Sequence, residues 1–462
     1  MPPLRRSLIR EFSDVVGAAA ICTDPGDCLP YGYDNSRLQA TPQAVLFATT
    51  HAQVTAITRL CHEHRIPLVT RGKGTGTTGA TVPQAGGIVL SLERMNRILA
   101  IDGDNRLARV EPGVTNKALQ DALRSEGFFW PLDPGSAAVC TIGGNLAYNS
   151  AGPRAVKYGT PRENSLGLCA VIGTGETIHT GVKTTKGVVG YDLTRLLIGS
   201  EGTLAIITEA TLKLTPLPEA KRTLQASYRD IHSAARAVSS IMRQPVTPCA
   251  LEFMDATAIA MVREFSDLQL HKDVGALLMI EVDGSAHAIE ADAERIVKAA
   301  RVEGLLEIHN ARTEAEISRL WKTRKSLSPA LRNIAPKKIN EDVVVPVSRI
   351  PELIGGLEGL SRQYGITIVN FGHAGNGNIH VNLLLNPQDP DQLEAGEQCL
   401  KSVFDLVLKL DGTLSGEHGI GVVKSRFIPQ EIDAVSLGLM RAIKGQFDPR
   451  HILNPGIMFL NN

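Results

Sequence analysis

The chain has few aromatic residues and no long apolar run. Eleven Phe, seven Tyr and two Trp are spread over 462 residues. Its longest apolar stretches, such as residues 276–280, fall far short of a bilayer span. Neither charge sign is in excess: 48 Lys+Arg balance 48 Asp+Glu. Nucleic-acid and polybasic membrane-surface proteins need a basic excess, so the balance argues against both. The seven cysteines (Cys22, Cys28, Cys61, Cys140, Cys169, Cys249, Cys399) are scattered and form no CxxC. That argues against a zinc ribbon or an iron–sulfur cluster and reads as ordinary reduced thiols. Arg5, Arg6 and Arg10 precede no apolar stretch, so no signal peptide is visible. A cytoplasmic protein is the default expectation, with a peripheral place at the inner face of the membrane left open.

Glycine is abundant, at 43 residues, in a chain that is 43% hydrophobic and 21% charged. Such a composition buries large cores and is not that of a disordered chain. High glycine in a packed chain suggests backbone that approaches a ligand closely. The length suggests about three domains, or two large ones.

Residues 1–40 read as a helical lead-in. From Pro42, short strands alternate with amphipathic helices. Strands are expected at 44–48, 66–70 and 87–92, a helix capped by Thr50 reaches His64, and 98–102 with 108–111 form a hairpin. Thr115 caps a helix over 116–125, and residues 131–215 are rich in glycine and strand. The breaker run Thr215-Pro216-Leu217-Pro218 sets a domain boundary. Beyond it, strands at 223–228, 250–254, 276–282, 305–311 and 366–371 alternate with helices at 231–242, 286–303, 313–328 and 350–364. This is an α+β domain, read as an antiparallel sheet with helices on one face. The expected domains are 1–40, 41–216, 221–389 and a helical C-terminal segment, 390–462.

Gly74-Thr75-Gly76-Thr77-Thr78-Gly79 spells the G-x-G-x-x-G fingerprint, but Pro83 and another strand follow where a Rossmann unit needs a helix. The loop's amides could still nest an anion, with Arg71 and Lys73 at its edge, or the loop could be plain surface. Two further glycine clusters, Thr141-Ile142-Gly143-Gly144-Asn145 with Asn149 to Gly152, and Gly199-Ser200-Glu201-Gly202-Thr203, suggest a long polar ligand threaded along backbone.

Together these segments resemble the flavin-binding domain of the vanillyl-alcohol-oxidase type family of FAD proteins, over about residues 40–216. The resemblance implies a two-subdomain FAD-binding domain. It places Arg71, Gly72, Gly74, Thr75, Gly76, Thr77, Thr78 and Gly79 at the pyrophosphate. Pro134, Gly135, Thr141, Gly143, Gly144, Asn145, Asn149 and Gly152 would lie along the flavin, with Glu201, Gly202, Ile206 and Asn454 completing the site. The pyrophosphate loop holds no His or Cys, so the FAD is expected to be non-covalent.

The sharpest local signal is Phe371-Gly372-His373-Ala374-Gly375-Asn376-Gly377-Asn378-Ile379-His380. Asn376-Gly377 is a strong hairpin turn. A two-residue loop there pairs His373 with His380 on one face, Cβ atoms about 5 Å apart, with Asn382 on the same face. Two such histidines need one anionic oxygen to make an open three-ligand metal site, and Glu417 in Ser415-Gly416-Glu417-His418-Gly419 is the candidate. Structural hydrogen-bonding histidines are the plain alternative.

These segments resemble the FAD-linked D-2-hydroxy-acid dehydrogenases, which include D-lactate, D-2-hydroxyglutarate and glycolate enzymes. By that resemblance His373, His380 and Glu417 hold a divalent metal, usually zinc. His418 is the base and Asn382 meets substrate. Asn376 stands where the family more often has Asp. Trp321, Arg324 and Ser328 share one face of an expected helix. The resemblance gives Arg324 and Ser328 to the substrate carboxylate, with Lys338 as a further contact.

The expectation is therefore an FAD enzyme oxidising a small D-2-hydroxy acid, D-lactate first, and passing electrons to an unidentified acceptor. D-2-hydroxyglutarate and glycolate are the alternatives in the same class, and partner subunits or a homodimer stay open. A metal hydrolase or a non-catalytic binding protein is the different-class alternative.

Overall fold

Thr50, Thr115 and Asp230 each stand just before a helix and accept a backbone N–H from its first turn, of Gln53, Ala118 and Ser233. Such caps satisfy donors that the helix leaves orphaned, and they set where each helix begins. The computed structural model describes residues 4–265, 270 and 272–459. These divide into two units. The first comprises residues up to 151, 159–217 and 417 onward; the second comprises 152–158 and 218–416. After the short excursion of residues 152–158, the chain passes into the second unit in the expected breaker run, between Leu217 and Pro218.

In the first unit, one sheet runs in the order Ile21–Cys22, Ala44–Phe47, Ile88–Ser91, Leu68–Arg71. Its last three strands are parallel. Ala44–Phe47 and Ile88–Ser91 are buried at every position, as parallel strands covered on both faces must be. Val54, Ile57 and Cys61 of helix His51–His64 pack with Leu46, Leu68, Ile88 and Leu90. The C-terminal tail extends this sheet: Leu68 N donates to Ile452 O at 2.7 Å, and Asn454 N to Leu68 O at 3.0 Å. A second, five-stranded antiparallel sheet has the order Ile98–Asp102, Leu107–Val110, Ala205–Lys213, Ser165–Ile172, Thr177–Gly181.

The sequence reading lacks a helix of this unit that bears on the cleft. Thr141 caps a helix, Ile142–Tyr148, accepting from Gly144 N. Two adjacent glycines lower helix propensity, but the cap and the buried Ile142 and Leu146 outweigh them.

The second unit is built on a seven-stranded sheet in the order Leu305–Ala311, Ala220–Tyr228, Ala276–Gly284, Ala250–Asp255, Thr367–His373, Asn378–Leu385, Lys337–Val344. Every pairing is antiparallel. The strand Lys337–Val344 was not expected, because its Lys, Asn, Glu and Asp residues are poor strand formers. It forms because it is the edge partner of the apolar Asn378–Leu385, buried along its whole length.

The helices cover both faces of this sheet, not one. Ala258 and Ile259 of helix Ala256–Phe265 and Leu327 and Leu331 of helix Glu314–Ile334 pack with Met254, Met279 and Phe371. Ile354 and Leu357 of helix Ile350–Tyr364 lie with Ile368 and Asn370, which alternate to the opposite face. The C-terminal boundary also differs from the expected residue 390. Helix Pro390–Lys409 belongs to the second unit, where it buries Cys399, Leu400, Val403, Phe404 and Val407. Only residues from Glu417 return to the first unit. Among the described residues, no helix is long and apolar enough to cross a membrane.

Candidate active site

The second and third glycine clusters, and the residues flanking the Gly74 to Gly79 loop, line one cleft of the first unit. Arg71, Gly72, Thr141, Gly143, Gly144, Glu201, Gly202, Ile206 and Asn454 line it, as do Thr70 and Tyr148. Tyr148, which sequence reasoning missed, sits four residues after Gly144 on helix Ile142–Tyr148. Burial raises its phenol pKa well above the ordinary value, so it stays protonated.

Several expected cofactor contacts also hold the cleft together through hydrogen bonds within the protein. The buried Arg71 guanidinium turns inward and donates to Tyr33 O at 2.7 Å and Pro30 O at 3.3 Å. Lys73 is paired with Glu93 at 2.7 Å. The positive edge expected of these two residues is thus spent on the protein itself. The loop is engaged as well: Asp34 accepts from Gly79 N at 3.0 Å, and Asn35 donates to the carbonyls of Thr75 and Gly76. Asn145 reaches Cys140, and Asn149 Oδ1 accepts from Thr160 and Arg162. Asn454 ties three segments, accepting from Thr70 N and donating to Ala80 O and Glu201 O. The loop from Gly74 to Gly79, Pro134, Gly135, Asn145 and Asn149 lie outside the cleft lining, and Gly152 belongs to the second unit.

Glu201 also positions the segment after Gly416. Its carboxylate accepts from Ile420 N at 2.6 Å and Gly421 N at 2.8 Å. Ser150 Oγ donates to Glu417 O, and Thr78 Oγ1 to His418 O, both at 3.3 Å. Glu417 and His418 are therefore anchored in the first unit by their carbonyls.

The second unit carries the histidine pair, in a different register from the one expected. Residues Ala374–Asn376 form a 3₁₀ turn closed by Gly377, whose φ is 73°. The turn is thus longer than two residues, and His373 stands opposite Asn378 while Phe371 stands opposite His380. The shift is by two positions, so the two histidines keep a common face. Their rings are 5.2 Å apart and nearly perpendicular.

A carboxylate that sequence reasoning missed lies beside them. Glu252 stands opposite His373 and is fully buried. Its Oε1 is 2.6 Å from His373 Nδ1, and its Oε2 pairs with Arg324 Nη2 at 2.7 Å. Burial pushes the Glu252 pKa up, but His373 and Arg324 outweigh it and the pKa lies below the ordinary value. The only sequence signal was an acid inside the apolar strand Ala250–Asp255.

Arg324 lies over the Phe371 ring at 4.8 Å, and Trp321 Nε1 donates to Glu281. Both are on helix Glu314–Ile334 with Ser328, whose side chain lies outside the described residues. Asn382 is buried and donates to Val369 O and His380 O, while its Oδ1 accepts no hydrogen bond among the described residues. Lys338 is half-buried and alternates with Asn340 and Asp342 on the face of His380. Asp342 stands opposite His380 and accepts from Gly416 N at 2.9 Å.

Comparison with known proteins places a division at the same point, near residue 217. Residues 42–181 match the FAD binding domain family, and residues 217–458 match the C-terminal domain of the FAD linked oxidases. A glycolate oxidase subunit GlcD of Bacillus subtilis is 40% identical, with 93% of this chain and 92% of that relative covered. A D-lactate dehydrogenase of Archaeoglobus fulgidus is 37% identical, with 92% and 94% covered. In fold, the chain is similar to p-cresol methylhydroxylase, with a TM-score of 0.82 at 17% identity over 98% of this chain and 96% of that one.

Proposed function

The chain belongs to the FAD-linked oxidase family, among its FAD-dependent 2-hydroxy-acid dehydrogenases, and from that premise we propose that it oxidises D-lactate to the 2-oxo acid with the help of a divalent metal. The observation that carries this reading is the pairing of His373 and His380, with the half-buried Arg324 tied to His373 through Glu252. Glycolate is the second reading, favoured by the 40% identity to a glycolate oxidase subunit.

The first unit's cleft fits FAD. Its wall is backbone at Gly72, Gly144 and Gly202, and the buried Thr70 Oγ1 on the same wall has no partner among the described residues. When bound, FAD supplies a hydride acceptor that side chains lack. The donor set also suits a metal. His373 Nδ1 is held by Glu252, so a metal would be ligated through Nε2, and imidazole with carboxylate is a zinc donor set. We assign His373, His380 and Glu417 as ligands. In support, Gly416, the residue before Glu417, is held by Asp342, which stands opposite His380. A metal there would supply Lewis acidity toward the substrate oxygens.

Oxidation of a 2-hydroxy acid removes the hydroxyl proton and the Cα hydride. His418 takes the proton as general base. Its carbonyl is fastened by Thr78, and the Glu201 carboxylate holds the amides just beyond it, so the imidazole is carried on a braced loop. Arg324 offers a cation to the substrate carboxylate, aligned by Glu252 and Phe371. Asn382 presents its acceptor oxygen on the face of His380, and Lys338 adds a second cation there.

The test is a panel of 2-hydroxy acids with an artificial electron-accepting dye, before and after chelation. D-lactate turnover that exceeds L-lactate turnover and falls on chelation is expected. Turnover of the L isomer alone, or none with any 2-hydroxy acid, overturns the proposal.

A further inference from the structure

We propose that Glu252 is a positioning residue that couples metal binding to substrate-carboxylate binding, because one buried carboxylate divides its two oxygens between His373 and Arg324. The inference rests on the proposed metal and substrate reading of this unit and extends it to a residue that neither the motifs nor the family match singles out.

Glu252 lies in a strand whose neighbours, Leu251, Phe253 and Met254, are apolar and buried. An ionised carboxylate is kept in such a place only if it is fully engaged. Both oxygens are used, each by a different function. Oε1 meets His373 Nδ1 at 2.6 Å. A carboxylate on one imidazole nitrogen fixes the ring's tautomer and orientation and leaves the other nitrogen as the ligand atom. Strand pairing sets this contact, since Glu252 and His373 are register partners.

Oε2 pairs with Arg324 Nη2 at 2.7 Å, while the guanidinium also lies over Phe371. Phe371 in turn stands opposite His380, with rings 5.7 Å apart. Arg324 is thus not a free surface cation that swings to meet an anion. It is held at one spot by Glu252 on one side and an aromatic face on the other. Glu252 thus contacts both a proposed metal ligand and the proposed carboxylate-binding cation, each through a different carboxylate oxygen. Loosening it disturbs both, although it need touch neither metal nor substrate.

The experiment uses the full-length flavin-loaded protein and two readouts: zinc affinity by chelator competition, and the Michaelis constant for D-lactate. Glu252→Gln keeps the shape and one acceptor but loses the charge that holds Arg324. It is expected to weaken zinc binding by about 10–100-fold, the usual loss for an outer-shell partner, and to raise KM with a smaller change in kcat. Glu252→Asp keeps the charge but withdraws it by one methylene, and is expected to weaken zinc binding as well. A core or charge-balancing role would lower thermal stability in Gln, leave Asp near wild type, and move neither zinc affinity nor KM. Native zinc affinity and KM in a folded Gln variant, or in the Asp variant if Gln does not fold, overturn the proposal while the metal reading stands. A wild-type protein that binds no zinc overturns the metal reading itself, and the coupling with it.

Discussion

His373 and His380 meet diagonally across their hairpin, and Phe371 stands directly opposite His380. That geometry depends on the turn. Gly377 has a φ of 73°, and a Cβ there would collide with the Val345 carbonyl. Gly377→Ala should therefore destabilise the protein by more than about 1 kcal/mol and lower its metal content, while flavin is retained. Urea unfolding and metal analysis check it. Unchanged stability and metal content would remove the turn from the account.

Neighbouring glycines in the cleft should respond differently. At Gly143 a Cβ would lie 2.6 Å from the Pro112 Cβ, so a larger residue displaces protein. At Gly144 it would meet only Thr141 Oγ1 at 3.3 Å, and the rest of the side chain would enter the cleft. Gly144→Val is expected to fold and lose its yellow colour, whereas Gly143→Val loses stability first. In the wild type, acid precipitation should release the FAD. Colour retained in the pellet would show a covalent link.

Much of this was legible in the sequence, and the misses have physical causes. Thr50, Thr115 and the 215–218 run marked helix starts and a boundary because caps and breakers act locally. The helix at Ile142–Tyr148 was masked by Gly143 and Gly144, whose low propensity is offset by a cap and tertiary burial. The hairpin strands were readable, but not their register. Asn376-Gly377 suggests a two-residue turn, whereas the 3₁₀ turn from Ala374 takes up two more residues. Arg71, Glu201 and Asn454 lie at the expected cleft, yet their side chains are engaged with backbone groups distant in sequence. Glu252 was invisible because its partners, His373 and Arg324, are far away along the chain.

A buried ion pair helps to hold the C-terminal tail. Lys444 pairs with Asp448 and donates to Thr203 O at 2.7 Å and Leu453 O at 3.0 Å. Burial lowers the lysine's pKa, so this ammonium is held only by its partners. Lys444→Met leaves Asp448 buried without its counter-ion and should cost about 3–5 kcal/mol. A shift of less than about 1 kcal/mol in urea unfolding would show that the tail is held by other contacts.

On the proposed assignment, His418 and Glu417 differ in what their loss removes. His418→Ala should lower kcat by about 10²–10⁴-fold with metal retained. Glu417→Gln should lose metal first, since an amide oxygen is a poorer ligand than a carboxylate. Both should keep FAD. Metal loss in the His418 variant with normal content in the Glu417 variant would exchange their roles.

The most direct test needs no acceptor. The purified flavin-loaded protein is mixed anaerobically with D-lactate, and separately with L-lactate, while the flavin's visible absorption band is followed. D-lactate should bleach the band in a single turnover, L-lactate should leave it standing, and prior chelation should slow the bleaching. A band that survives D-lactate and glycolate alike, or that only L-lactate bleaches, would contradict the account.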